Sequence, residues 1–133
     1  SLPTQASRFD SLTNAQVRIE QRTATGGATE TWATAVSDYP AFLDALDFQQ
    51  AAAIAAGMAF DLAVTHLLLC RDSASLRVKD AVVVTKTRQF RKRDWTAVAA
   101  GARTRYLVQS KADPGPGGHH VECLLSLLEA NVT

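Results

Sequence analysis

The densest cluster of chemically active side chains in this 133-residue sequence is the run "KTRQFRKRD" at residues 86–94. Within eight residues it holds five cations and no acid, and the aromatic residues Phe90 and Trp95 lie close by. Arginine and lysine supply most protein contacts to nucleic-acid backbones, so one interpretation is a loop that contacts phosphates or an acidic partner. The other interpretation is a solvated hairpin tip, because charge runs are often only surface. The candidate contact residues are Arg88, Arg91, Lys92 and Arg93.

A metal site is the second chemistry to consider, with His119, His120, Cys123 and Cys70 as candidate ligands. Adjacent histidines on a strand point to opposite faces, so only one of the two could join Cys123. Structural zinc sites usually contain two close ligand pairs, and this sequence offers no second pair. We therefore predict no metal and read these histidines as a polar turn that enters a strand.

Nucleophilic catalysis is the third possibility, and spacing argues against it. His66 and Cys70 share a face of one predicted strand, where four residues span roughly 13 Å, beyond hydrogen-bond reach. The glycine clusters lie between predicted strands rather than at helix N-termini, so neither forms a phosphate loop. We predict that the chain is not an enzyme and takes no cofactor.

The composition is that of an ordinary globular protein, with 47% hydrophobic and 20% charged residues and a net charge of +1. This length favours one domain spanning residues 1–133, with a polar arm at 1–14. The first ten residues lack the pattern of a secretory signal. No apolar run approaches the roughly 20 residues that a membrane span needs, so we predict no membrane association. Cys70 and Cys123 are read as buried, reduced thiols, since a disulfide would require neighbouring strands.

Period-two alternation dominates the rest of the chain and predicts strands. Strands are expected around 17–23, 29–36, 60–71, 75–85, 103–111 and 119–129, with glycine or proline turns at 24–29 and 112–118. The segment 38–46 is compatible with either a helix or an extended strand. In the last strand, Val121, Cys123, Leu125 and Leu127 are assigned to one face, and further leucines to the other.

One helix is predicted at residues 48–59, where "FQQAAAIAAGMA" is rich in alanine. Asp47 is its expected N-cap, Gln50 holds the reciprocal capping position, and Gly57 ends or weakens the helix. These elements predict an all-β fold, a small antiparallel β-barrel or sandwich, with one short helix in a long inter-strand connection. The surplus of leucine on the last strand predicts a partner subunit.

Three stretches in this order resemble the phage head–tail joining family, the head-closure or stopper proteins of tailed bacteriophages. A strand ends in Gln-Arg-Thr and leads through glycines to a strand centred on Trp32, in "VRIEQRTATGGATETWATA" (17–35). A Thr-His pair precedes an apolar stretch ending in arginine, in "AFDLAVTHLLLCR" (59–71). An Asp-Pro turn then leads to a strand bearing Glu-Cys-Leu, in "RTRYLVQSKADPGPGGHHVECLLSLLE" (103–129). The resemblance covers about three-quarters of the chain, and residues 86–102 are longer than in that family.

The resemblance implies a β-barrel subunit that assembles into a ring of six or twelve copies in the virion neck, after synthesis in the host cytoplasm. The ring would meet portal and adaptor proteins above and tail-terminator or other tail proteins below, and would retain the packaged DNA end. Two alternatives stay open. One is another neck or tail-completion ring protein, and the other is a stand-alone nucleic-acid-binding barrel.

Overall fold

The computed structural model describes residues 12–23, 31–57, 62–71, 76–89, 92–112 and 120–133. The predicted arm up to residue 11, the glycine turn at 24–29 and most of the turn at 112–118 lie outside these ranges. Seven strands and one helix follow in chain order: β1 (Ala15–Thr23), β2 (Thr31–Ala45), α1 (Phe48–Gly57), β3 (Val64–Cys70), β4 (Ala81–Thr87), β5 (Thr96–Ala97), β6 (Arg103–Ala112) and β7 (Val121–Val132).

The strands form one antiparallel sheet that closes on itself. Six strands pair in the order β1-β2-β3-β7-β6-β4, and β4 also pairs with β1. The two-residue β5 pairs antiparallel with the end of β4. In the closing pair, Ala15 lies opposite Thr87 and Glu20 opposite Ala81. The predicted all-β fold with one short helix in a long connection is confirmed, and the closing pair makes it a barrel.

The core fills the barrel interior with side chains from β1, β2, β3, β4, β6 and β7. Ile19, Leu68, Val82, Val108 and Leu125 are fully buried there. In β7, Leu127 is 50% exposed, whereas Val121, Cys123 and Leu125 of the same predicted face are buried. The reason is register: Ser126 pairs with Val64, the first residue of β3, so β7 runs past the start of β3 from Leu127 onward.

The ambiguous segment 38–46 is extended and completes β2. A bulge interrupts the β1–β2 pairing, since Val17 faces Tyr39 while Ile19 faces Val36. Asp38 sits in this bulge with φ +52°, a conformation that aspartate tolerates better than most residues. Pro40 lies two residues after Asp38, and pairing of β2 with β3 begins only at the next residue, Ala41. The missing proline N–H therefore costs no bond to β3.

The helix α1 forms as its capping signals predict. The Gln50 amide donates to Asp47 Oδ1 at 2.7 Å, and the Asp47 amide donates to Gln50 Oε1 at 3.1 Å. The helix spans Phe48–Gly57, and the last two residues of the predicted range, 58–59, lie outside the described residues. None of its residues is buried, and only Ala51 and Ile54 are half-buried. No helix in the described part of the chain has the length and hydrophobicity to cross a membrane.

Two other strands begin later than predicted. β4 starts at Ala81 because residues 77–80 form a turn, in which the Asp80 amide donates to the Arg77 carbonyl and Asp80 Oδ2 accepts from the Arg77 amide. Lys79 has φ +76° in this turn. β3 starts at Val64, so Leu62, which lies within the predicted strand 60–71, precedes the strand and is exposed. Before β4, turn chemistry overrides the alternating pattern.

Both cysteines are free and buried, as predicted, although their strands β3 and β7 are neighbours. Cys123 is fully buried, and this burial raises the pKa of its thiol to about 11, against a smaller opposing effect of Lys111. Thiolate is the reactive form of cysteine, so both burial and protonation protect the thiol at neutral pH.

We expect the folded protein to show no reaction with Ellman's reagent at pH 8, because Cys70 and Cys123 are buried and the Cys123 thiol stays protonated far above that pH. Addition of denaturant should release both thiols to the reagent. Absorbance at saturation, with and without denaturant, measures this directly. Rapid reaction of either thiol in the folded protein would contradict the closed barrel.

Candidate functional site

Strand directions divide the barrel into two ends. At one end β1, β3 and β6 begin, β2 and β4 finish, and α1 is attached; we call it the helix end. The turn at 77–80 lies at the opposite end. Four of the five exposed large hydrophobic side chains in the described residues lie at the helix end: Leu12, Phe48, Leu62 and Leu127.

The helix end has an apolar half and a cationic half. The exposed hydrophobic side chains Phe48, Leu62 and Leu127 belong to the sector of α1, β3 and β7. Positive side chains occupy the other sector, along β4, β5, the loop between them and the start of β6. We call these the basic face: Lys86, Arg88, Lys92, Arg93 and Arg103.

Arg88 is held in place by the chain segment before β1. Its Nε donates to the Thr13 carbonyl oxygen at 2.7 Å and one Nη donates to Thr13 Oγ1 at 3.0 Å. Its guanidinium lies 4.2 Å from the centre of the Trp95 ring, and its amide donates to the Asn14 carbonyl. Arg88 thus links the end of β4 to the segment before β1, a structural role that the run of charges did not indicate.

The other predicted contact residues differ in their surroundings. Lys92 and Arg93 are exposed, and neither forms an ion pair with a described carboxylate. Arg91 lies outside the described residues. Arg88 and Lys92 line an open cleft of about 490 Å³ together with Asp94. This loop cleft offers a net positive, polar surface, which suits an anionic group.

A second cleft lies on the barrel wall, beside the pairing of Lys86 with Ala97. Its volume is about 230 Å³, and its lining includes Arg18, Lys86 and Arg103, with Asp38 as its carboxylate. We call it the wall cleft. The sequence did not indicate Arg18 and Arg103 as site residues, because they come from strands distant in the chain, and no local signal connects them.

Arg105 is paired with two carboxylates. Arg105 Nε lies 2.8 Å from Glu20 Oε1, and one Nη lies 2.5 Å from Glu129 Oε2. Burial tends to lower the pKa of Arg105, but the hydrogen bonds and charges of Glu20 and Glu129 raise it overall. Trp32 lies against the guanidiniums of both Arg22 and Arg105. This ionic cluster joins β1, β6 and β7 on the outer wall.

The remaining chemical candidates occupy packed positions. The His66 ring lies 4.7 Å from that of Tyr106, and its Nδ1 lies 2.8 Å from Thr65 Oγ1. Burial lowers the pKa of His66, although the charge of Asp44 opposes this. Among the described residues no three potential metal ligands cluster. His119 lies outside them, and His120 Nε2 lies 3.7 Å from a Glu122 carboxylate oxygen.

Comparison of the chain with known protein families matches none of them. A search of curated proteins also finds no match.

We expect Arg88→Lys to lower the free energy of unfolding by about 1–2 kcal/mol, because lysine cannot reproduce the paired hydrogen bonds to Thr13 or the stacking on Trp95. The matched control is the double change Lys92→Gln and Arg93→Gln, which removes exposed charge and should stay within about 0.5 kcal/mol. Urea unfolding followed by circular dichroism measures both. Equal stability of Arg88→Lys and the control would contradict this structural role of Arg88.

We expect Glu20→Gln to destabilise the barrel by about 2 kcal/mol, since Glu20 is buried and its loss leaves Arg105 poorly compensated. Glu129→Gln is the control, because it removes the other carboxylate of the same arginine from an exposed position and should cost less than about 1 kcal/mol. Urea midpoints of the two variants test this order. If Glu129→Gln were the more destabilising variant, the exposed ion pair of Arg105 with Glu129 would contribute more to stability than the buried pair with Glu20.

Proposed function

We propose that this chain is a structural virion protein, a head-closure subunit that forms a ring in the neck of a tailed phage. There it would join portal and adaptor proteins to the tail and retain the packaged DNA. The observation that carries the proposal is the exposed apolar half of the helix end, above all Phe48, which is 87% exposed. The resemblance of the sequence to head–tail joining proteins supports the same function, and so does the small closed barrel of the chain.

The helix α1 argues for a partner on energetic grounds. It has ten residues, and isolated helices shorter than about 12–15 residues are only marginally stable in water. Its capping box contributes about 1 kcal/mol, but no residue of the helix is buried. Additional stability would come from packing of Phe48 and its neighbours against another molecule. A second copy of the chain would supply that contact in a ring.

A ring would use the apolar half of the helix end as one of its two subunit contacts. Each subunit of a cyclic ring uses two different patches, one for each neighbour. The apolar half of the helix end would bind a neighbouring subunit. The basic face would then remain available for the DNA end or for an acidic rim of another neck protein.

Two alternatives make different predictions. Another neck or tail-completion ring protein would share the ring and differ in its partners. The basic face favours a second function, that of a stand-alone nucleic-acid-binding barrel, since Lys86, Lys92 and Arg93 form no ion pair with a described aspartate or glutamate. Such a protein would stay monomeric and bind DNA with a steep dependence on salt concentration.

We expect light scattering at low and high salt to give a ring-sized mass, either for the chain alone or after addition of a portal complex. Phe48→Ser should abolish the ring-sized mass under whichever of these two conditions produces it, while leaving thermal stability nearly unchanged, because Phe48 is exposed in the isolated barrel. Val78→Ser is the matched control, since Val78 is 47% exposed at the opposite end. It should leave the ring intact.

The same measurement separates the alternatives. A monomer at every salt concentration that ignores portal complexes and binds DNA would favour the stand-alone barrel. A ring whose mass is unaffected by Phe48→Ser would contradict the proposed role of the helix end. A ring disrupted equally by Val78→Ser would place the subunit contact at the other end of the barrel.

A further inference from the structure

Part of β2 has a neighbouring strand on one side only, because β2 is much longer than β3. β2 has 15 residues, but it pairs with β3 only over 41–45, whereas its pairing with β1 begins at Thr31. No described residue pairs with the β3 side of residues 31–37, which we call the open edge. A strand paired on one side directs alternate N–H and C=O groups away from its partner, so the open edge can accept one more strand.

The open edge lacks the features that usually prevent pairing between molecules. Natural edge strands are protected by charged residues or proline, and its sequence, Thr-Trp-Ala-Thr-Ala-Val-Ser, contains neither. Threonine, valine and tryptophan favour extended structure. Five of the seven side chains are exposed, and Trp32 and Val36 are half-buried. Pairing with β1 is regular from Thr31 to Thr34 and shifts register before Val36, so the first half is the best template.

The other end of the barrel shows the contrast. There β7 continues past the start of β3, and residues 127–132 have β6 as their described partner strand. This second overhang is protected: Glu129 places a charge on it, and Asn131 interrupts the extended backbone with φ +58°. Of the two overhangs beside β3, only the open edge of β2 is uncharged.

The open edge also belongs to a part of the sheet that a third strand would stabilise. β4 pairs with β1 no further than Glu20, so residues 31–33 lie in a ribbon of two strands. Two-stranded ribbons are only marginally stable in water. Trp32 holds this ribbon against the barrel wall, since its ring lies near the guanidiniums of Arg22 and Arg105. The backbone of the ribbon is therefore presented in a defined position.

We propose that the open edge is a self-association site, where two copies of the chain pair their β2 strands antiparallel about a two-fold axis. Such a contact is isologous, so one interaction covers both edges, whereas a strand from a different protein would leave its own second edge open. Because the edge is uncharged, two copies meet without repulsion between like charges. Six facing residue pairs would form about six backbone hydrogen bonds. Trp32 would add an aromatic contact with the β-branched residues of the other copy.

This inference goes beyond the proposed function and does not rest on it. The apolar half of the helix end and the open edge lie at opposite ends of the barrel. The experiment therefore uses the full chain in two forms, unaltered and with Phe48→Ser, which removes the proposed ring contact. Hydrogen exchange read by mass spectrometry follows residues 31–37 over a wide range of protein concentration, and sedimentation equilibrium gives the mass. We expect Phe48→Ser chains to form dimers, with exchange at the open edge slowing as concentration rises.

One substitution tests the edge itself. Ala33→Lys places a charge on the edge, and a two-fold axis brings two such charges together, so the dimer dissociation constant should rise about tenfold or more. Ala100→Lys is the matched control, because it adds the same charge at an exposed position in the turn before β6. It should leave the dissociation constant unchanged. Circular dichroism establishes that both variants are folded.

Each outcome decides the proposal. Concentration-dependent protection of residues 31–37 that Ala33→Lys abolishes and Ala100→Lys preserves would support it. Protection that is the same at every concentration would overturn it, in favour of cover by another segment of the same chain. Rapid exchange at every concentration, or a dimer indifferent to Ala33→Lys, would also overturn it. Protection that appears only with a portal complex would overturn self-pairing in favour of a strand from another protein.

The same data separate this inference from the proposed function. Edge protection and dimers without any ring-sized mass, with or without a portal complex, would support the open edge and contradict the ring. A ring-sized mass whose residues 31–37 exchange rapidly would support the ring and overturn the edge contact.

Discussion

The pairing of β1 with β4 is the constraint on which the rest of this structure depends. It joins segments more than sixty residues apart, from Ala15 opposite Thr87 to Glu20 opposite Ala81, and converts an open sheet into a barrel. Without it both strands would present unpaired backbone groups at sheet edges. The same pairing brings residues 13–14 against the start of the basic loop, where the Thr13 carbonyl and hydroxyl hold Arg88.

Barrel closure also determines what each arginine can do. On the outer wall it brings Glu20 beside Arg105, and this ion pair links β1 to β6. At the helix end Arg88 donates to the Thr13 carbonyl oxygen and Arg103 to the Val98 carbonyl oxygen, so both guanidinium groups are held against the chain segments beside them.

Local patterns predicted much of the fold, because they depend on neighbours in the chain. Alternation identified most strands, and the Asp47–Gln50 pair identified the start of α1. Other outcomes depend on a distant strand. Leu127 alternates correctly but lies beyond the start of β3, and nothing near it in the sequence encodes that end. The extended path of 38–46 follows from pairing with β1 and β3, which outweighs its helical spacing.

The sequence by itself determined the strand-rich fold class, the single capped helix, the buried thiols and a local run of positive charge. All of these follow from composition and from contacts a few residues apart. Only the tertiary structure decided which cations act together. Arg18, Lys86 and Arg103 share one cleft, and Arg88 meets Thr13 across seventy-five residues. Charge is a property of a side chain, whereas a binding site is a property of the distances between side chains, and those are set by closure of the barrel.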